Sequence, residues 1–277
     1  MKFIKSSKDS AEQPVELAYQ DWGSGAPVVL IHGWPVNHEM WENQSLALAQ
    51  AGLRVVAYTR RGFGDSSKPW TGYDYDTMAD DLKAVLETLD LQDVTLVGFS
   101  MGGGEVARYM SRQGGARVSK VAFVAAVTPF LLKTADNPTG VDQSVFDEMT
   151  AGIKKDRAAF METFGKKFFG VGVLKSPVSD AVLHHAWGLA MKGSINATLD
   201  CAAAFSSTDF RPDLATIKVP ALIIHGDADQ TVPIAASGEQ TAKLLPHAKF
   251  IRYAGEPHGL FVTDKDRLSR DLIEFIK

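Results

Sequence analysis

Six short runs of β-branched and aliphatic residues punctuate the chain, at 28–31, 54–58, 94–97, 121–124, 221–224 and 249–253. Most are apolar at consecutive positions rather than at alternate ones. A strand of that kind has both faces covered, which is the condition of a parallel sheet with helices on each side. Between the runs lie helical patterns. Residues 77–90 place Met78, Leu82, Val85, Leu86 and Leu89 at spacings of three and four, and residues 101–113 open on glycines and continue through Val106, Tyr109 and Met110. Such alternation predicts a doubly wound α/β fold with right-handed crossovers. It lapses between about 128 and 215, where Asn137-Pro138-Thr139-Gly140 and Phe210-Arg211-Pro212-Asp213 bracket helical patterns and no run reads as a strand. The sheet resumes at Ala221. We therefore expect one domain over 1–277 with a helical cap inserted at about 128–215; the alternative is a second helical domain.

Composition narrows the function classes. The chain has 277 residues, 45% hydrophobic and 22% charged, which is ordinary for a globular protein. A net charge of −4 with no basic block lacks the footprint of nucleic-acid binding. The single cysteine, Cys201, reads as a small buried hydrophobe, and no CxxC or HExxH string suggests a zinc site. The apolar run near the N-terminus is only Phe3-Ile4, and no stretch of about 18 apolar residues occurs. A cytoplasmic protein without a membrane span is the expectation.

Directly after the run at 94–97 stands Gly98-Phe99-Ser100-Met101-Gly102. A serine at a tight strand-to-helix turn is forced into a strained backbone conformation, and glycine two residues either side removes the Cβ clashes. With 24 glycines and 18 serines, such a string arises by chance in roughly one chain in eight. Here it is the only GxSxG string, and it has the strand–turn–helix context the chemistry needs.

A nucleophilic serine requires a base and a group to orient it. Of seven histidines, His38 and His247 read as loop or surface residues. His184 and His185 are neighbours and diverge on a helix. His32 and His225 end strand runs before glycine, where a buried ring bonded to nearby backbone is the expectation. His258, in Gly255-Glu256-Pro257-His258-Gly259, follows the last strand run at the carboxyl edge of the sheet. The string His225-Gly226-Asp227-Ala228-Asp229 supplies two candidate acids after the preceding strand. The residue after the nucleophile, Met101, offers one backbone N–H to an oxyanion.

These strings resemble the α/β-hydrolases, whose triad runs Ser…Asp…His along the chain. More closely, VVLIHGWP (28–35), YTRRGFGDSS (58–67), LVGFSMGGGEVARY (96–109), TDFRPDL (208–214), ALIIHGDADQTVP (221–233) and PHGL (257–260) are similar to the bacterial aryl-esterase and cofactor-free haloperoxidase, or perhydrolase, branch. The resemblance implies Ser100, Asp229 and His258 as the triad, with Asp227 a turn residue. It also implies Trp34 as the second oxyanion donor beside Met101; Pro35, with no N–H, cannot serve. The activity implied is hydrolysis of small esters through an acyl-enzyme. Hydrogen peroxide in place of water would give a peracid that oxidises halide, with no metal and no cofactor, and the family often forms homo-oligomers. Trp34, Phe99, Met101, Phe130, Trp187 and Phe261 are candidate walls of an apolar acyl pocket suited to short chains.

Other readings compete. Lactonase, C–C hydrolase or amidase activity would use the same triad. Gly102-Gly103-Gly104-Glu105-Val106-Ala107 also fits a dinucleotide fingerprint, yet the next strand region, 118–127, holds no acidic residue for an NAD(P) ribose. A non-catalytic binding protein would leave the triad positions without a purpose.

Overall fold

All six apolar runs lie in strands. A computed structural model of the chain describes residues 2–8, 12–172 and 176–277. The strands are β1 (Lys2–Lys8), β2 (Pro14–Trp22), β3 (Pro27–Ile31), β4 (Arg54–Tyr58), β5 (Val94–Phe99), β6 (Val118–Val124), β7 (Ala221–Gly226) and β8 (Lys249–Tyr253), in the order β1-β2-β4-β3-β5-β6-β7-β8. From β4 to β8 every pairing is parallel; β1 and β2 add an antiparallel edge. The sequence reading placed no strand at that edge. Of the β1 side chains, Ile4 is buried while Phe3 is 46% exposed, so no continuous apolar run betrays it. The central strands β5 and β7, by contrast, are buried at every position.

The helices are α1 (Glu42–Gln50), α2 (Tyr75–Thr88), α3 (Met101–Arg112), α4 (Gln143–Lys155), α5 (Arg157–Phe168), α6 (Asp180–Met191), α7 (Ile195–Ser207), α8 (Arg211–Leu214), α9 (Gly238–Leu244), α10 (Leu260–Thr263) and α11 (Lys265–Ile276). Helix α2 starts where the Asp74 carboxylate accepts the Thr77 N–H at 2.9 Å, and it buries Met78, Leu82, Val85 and Leu86. That is the stripe its spacing predicts, each such side chain contributing about 1.5–3 kcal/mol of burial. One face of the sheet packs on α2 and α3, the other on α1 and α11, giving two apolar layers.

Between β6 and β7 the chain forms α4 to α8 and no named strand among the described residues, as the lapse in alternation predicts. Aspartate or serine caps open three of these helices: Asp156 for α5, Ser179 for α6 and Ser194 for α7. Strands β3 and β5 are neighbours, but β4 lies beyond β3 and β6 beyond β5. This is the reversal of strand order outside which open α/β sheets bind ligands, at the carboxyl ends. Among the described residues no helix is long and apolar enough to cross a membrane.

Candidate active site

Ser100 stands at the carboxyl end of β5 with φ 53° and ψ −119°, in the positive-φ region that L-residues avoid. Conformations of this kind cost about 1–3 kcal/mol and persist only where the surroundings enforce them. Here the enforcement is visible. A Cβ on Gly98 would lie 2.5 Å from the Gly102 carbonyl oxygen, and one on Gly102 would lie 2.6 Å from the Ile31 carbonyl oxygen. The Ser100 N–H is tied to the Val124 carbonyl at 2.9 Å. Helix α3 starts immediately after, so its positive end faces the serine.

His258 and Asp229 arrive from the loops after β8 and β7. The Ser100 Oγ lies 3.0 Å from His258 Nε2, and His258 Nδ1 lies 2.6 Å from Asp229 Oδ2. All three are buried. The other Asp229 oxygen accepts the N–H groups of Thr231 and Val232, both at 2.8 Å. Burial works against ionisation of Asp229. The charge of His258 and hydrogen bonds from His225 and His258 outweigh it and hold the carboxyl well below the usual carboxylate range. Asp227 faces elsewhere, accepting the Gly255 N–H at 2.7 Å in the turn before His258.

The loop after β3 lies against the serine: a Cβ on Gly33 would come within 3.0 Å of Ser100 Cβ. Trp34 follows, joined to Pro35 by a cis peptide bond. Among the described residues, neither the Trp34 nor the Met101 N–H donates in any turn, loop or cap hydrogen bond. Met101 is the first residue of α3, where a backbone N–H has no partner within the helix. The Trp34 indole is committed elsewhere, donating to the Thr198 carbonyl of α7 at 2.9 Å.

His32 and His225 do bond to backbone. His32 Nδ1 donates to its neighbour's carbonyl, that of Gly33, at 2.7 Å, while Nε2 accepts the Arg60 N–H at 2.9 Å. Burial, reinforced by the Arg60 charge, keeps this ring well below its ordinary pKa and neutral. His225 Nε2 lies 2.9 Å from the Val232 carbonyl, and also 3.3 Å from Asp229 Oδ2. That second contact had no sequence signal beyond the i, i+4 spacing. His38 is half-buried beside Thr59, and His247 is exposed. Cys201 is buried, its thiol pushed up to about 12 by burial.

Sequence reasoning also missed a buried ion pair behind the oxyanion loop. Arg60 Nε and Nη2 lie 2.9 and 2.8 Å from Glu105 Oε2, and Nη2 also donates to the His32 carbonyl at 3.0 Å. One guanidinium thus joins the end of β3 to the helix that carries the nucleophile. The glycine-rich string that holds Glu105 gives no sign of a partner for its carboxylate.

The candidate pocket residues separate into three groups. Trp187 and Phe261 line a cavity of about 430 Å³. Trp34 and Phe130 are not part of that lining; the Trp34 ring packs between Phe164 and Phe205, and the Phe130 ring lies under the Arg211 guanidinium. Phe99 and Met101 are fully buried, and Phe99 supports the His258 ring from behind, 4.9 Å between centroids. The apolar character that marked Phe99 as a wall reflects core packing, because β5 is covered on both faces.

Residues 26–265 match the alpha/beta hydrolase fold family. The chain belongs to that family. Within the alpha/beta hydrolases it is 43% identical over 264 residues to the non-heme chloroperoxidase of Kitasatospora aureofaciens, covering 95% of this chain and 96% of that one. It is 41% identical over 266 residues to a bifunctional esterase/perhydrolase of Acinetobacter calcoaceticus, with 95% and 96% covered. The crystal structure of a bromoperoxidase from Bacillus anthracis superposes with a TM-score of 0.95 at 47% identity, over 99% of each chain. The branch indicated by the sequence strings is therefore the one its relatives occupy, and this alpha/beta hydrolase is an enzyme.

Proposed function

We propose that the protein is a serine carboxylesterase for small esters, with aryl or short acyl groups, that also carries out perhydrolysis at the same site. The observation that carries this reading is the unbroken relay from Ser100 Oγ through His258 to Asp229, buried at the carboxyl edge of the sheet. His258 takes the hydroxyl proton as Ser100 attacks the ester carbonyl, and Asp229 holds the imidazole and balances its charge. The developing oxyanion is met by the N–H groups of Trp34 and Met101. Collapse of the tetrahedral species expels the alcohol, protonated by His258, and leaves an acyl group on Ser100. Water activated by His258 releases the acid. Hydrogen peroxide attacking the same acyl-enzyme releases a peracid, which oxidises halide to hypohalous acid in solution and is itself reduced to the carboxylic acid.

The names of the relatives support both outcomes: one is an esterase/perhydrolase and another a chloroperoxidase. In this reading the helices between β6 and β7 are an insertion into one domain spanning the chain, since the strands on either side pair directly. Replacing Ser100 by Ala tests the shared site. Turnover of p-nitrophenyl acetate and peroxide-dependent bromination should disappear together, each by about 10³-fold or more. Bromination that survives in Ser100→Ala would separate the two activities and remove the acyl-enzyme from the second.

A further inference from the structure

Helix α5 carries Phe160, Phe164 and Phe168 at successive i, i+4 positions, one aromatic row along its length. Two of these rings bear on the candidate catalytic groups. Phe164 meets the Trp34 ring edge-on at 5.3 Å, and Phe168 meets the His258 ring edge-on at 4.8 Å. The same two phenylalanines also line the 430 Å³ cavity, which α6, α10 and the segment after Trp34 border on its other sides and which is partly open to solvent. Ser100, His258 and Trp34 do not line it. The cavity is therefore a chamber beside the active site, with Phe164 and Phe168 as the wall between the two.

Three features fit this chamber to a ligand. Its volume is within the range of small-molecule sites, about 300–1,000 Å³. Its walls are mostly apolar, with Asn43 and His185 among the few polar groups, and Trp187 is held in place by its indole N–H, which donates to the Ala158 carbonyl at 2.9 Å. Finally, Gly165 lies on the chamber wall inside α5, where a Cβ would meet nothing within 4 Å. Glycine in a helix interior costs roughly 0.8–1 kcal/mol against alanine. No close neighbour demands it here, and its lack of a side chain enlarges the chamber.

Charge at the rim selects the ligand class. Glu39 is paired with Lys192 at 2.9 Å, and the exposed Glu42 and Lys265 oppose each other in sign. No net field favours an ion. We propose that the chamber is an accessory binding site for an uncharged aromatic molecule of one or two rings, distinct from the site at Ser100. Its occupant touches the rings that pack on Trp34 and His258. It therefore alters turnover without competing with the ester for Ser100.

2-Naphthol, uncharged at neutral pH, serves as the probe. Calorimetry should find it bound to the wild-type enzyme, with affinity lowered about tenfold or more in Gly165→Leu, whose side chain projects into the chamber. Leucine is a better helix former than glycine, so the melting temperature of that variant should not fall. Ala186→Phe, from α6 on the opposite wall, provides an independent block should Gly165→Leu misfold. Against p-nitrophenyl acetate the probe should change kcat in the wild type without raising KM. Equal affinity in wild type and both blocked variants, or strictly competitive inhibition, would overturn the proposal. The calorimetric arm needs no turnover, so it decides the chamber even if the ester reading fails.

Discussion

Asp229 and Asp227 are two residues apart and both sit in the turn after β7, yet their surroundings give them different work. Asp229 is enclosed, with one oxygen on His258 and the other on two backbone N–H groups. Its carboxyl is held well below the ordinary range, so it is charged at every pH near neutrality and is free to balance an imidazolium. The sign for stability follows: a carboxylate with a depressed pKa stabilises the fold above about pH 4, and that contribution is lost as pH falls towards the folded value. Asp227 is exposed and accepts the Gly255 N–H. Asp229→Asn should therefore lower kcat for p-nitrophenyl acetate by about 10³–10⁴-fold, because the amide favours the wrong imidazole tautomer. Asp227→Asn should leave kcat near the wild-type value. Steady-state kinetics on the two variants check this, and a larger loss at Asp227 would exchange their roles.

Among elements, the decisive junction is the one between β3, β5 and α3. The tight turn at Ser100 brings the start of α3 so close to the end of β3 that Gly102 has no room for a side chain. Behind that contact the Arg60–Glu105 pair holds the His32 carbonyl and the helix in one arrangement. Burial pushes the Glu105 carboxyl well above its usual range, and the guanidinium contacts at 2.9 and 2.8 Å act the other way by favouring its charged form. Breaking a buried pair from one side leaves an uncompensated charge and typically costs about 3–5 kcal/mol. Glu105→Gln should lower stability by that order in urea unfolding. The double variant Arg60→Met/Glu105→Leu should recover part of the loss, since no lone charge remains buried. A Glu105→Gln enzyme within about 1 kcal/mol of wild type would show that the pair contributes little.

At the scale of the whole molecule, burial is uneven. Strands β5 and β7 are covered throughout, whereas α4 buries only Phe146 and Ile153, α5 only Met161 and Phe168, and α6 only Leu189 and Ala190. Segments with few buried side chains open locally at lower free energy than a sheet core. Hydrogen exchange should accordingly be faster in α4, α5 and α6 than in β3, β5, β6 and β7. Equal protection would mean that the helices between β6 and β7 unfold only with the sheet. Helix α7 should fall between them, because it buries Ala197, Thr198, Cys201, Ala202, Phe205 and Ser206, and Thr198 receives the Trp34 indole bond.

Local pattern carried the parts of this protein that repeat along the chain. Short β-branched and aliphatic runs marked the strands from β3 to β8, the three-and-four spacing marked α2, and glycines flanking Ser100 marked the tight turn. In each case the physical demand acts on residues that are neighbours in sequence. Strands β1, at the sheet edge, and β2, beside it, escaped because both leave several positions open to water and neither carries a continuous apolar run. The relay among Ser100, Asp229 and His258 was nameable from its strings, but its distances depend on three loops brought to one sheet edge. Three further features belong wholly to packing: the Arg60–Glu105 pair, the His225 contact with Asp229, and the aromatic wall between active site and chamber. Each pairs groups whose partners are set by the way α3, β7 and α5 meet the sheet, and Phe99 shows the converse. Its sequence position beside the nucleophile suggested a pocket wall, and the pleat of β5 turned it into the core.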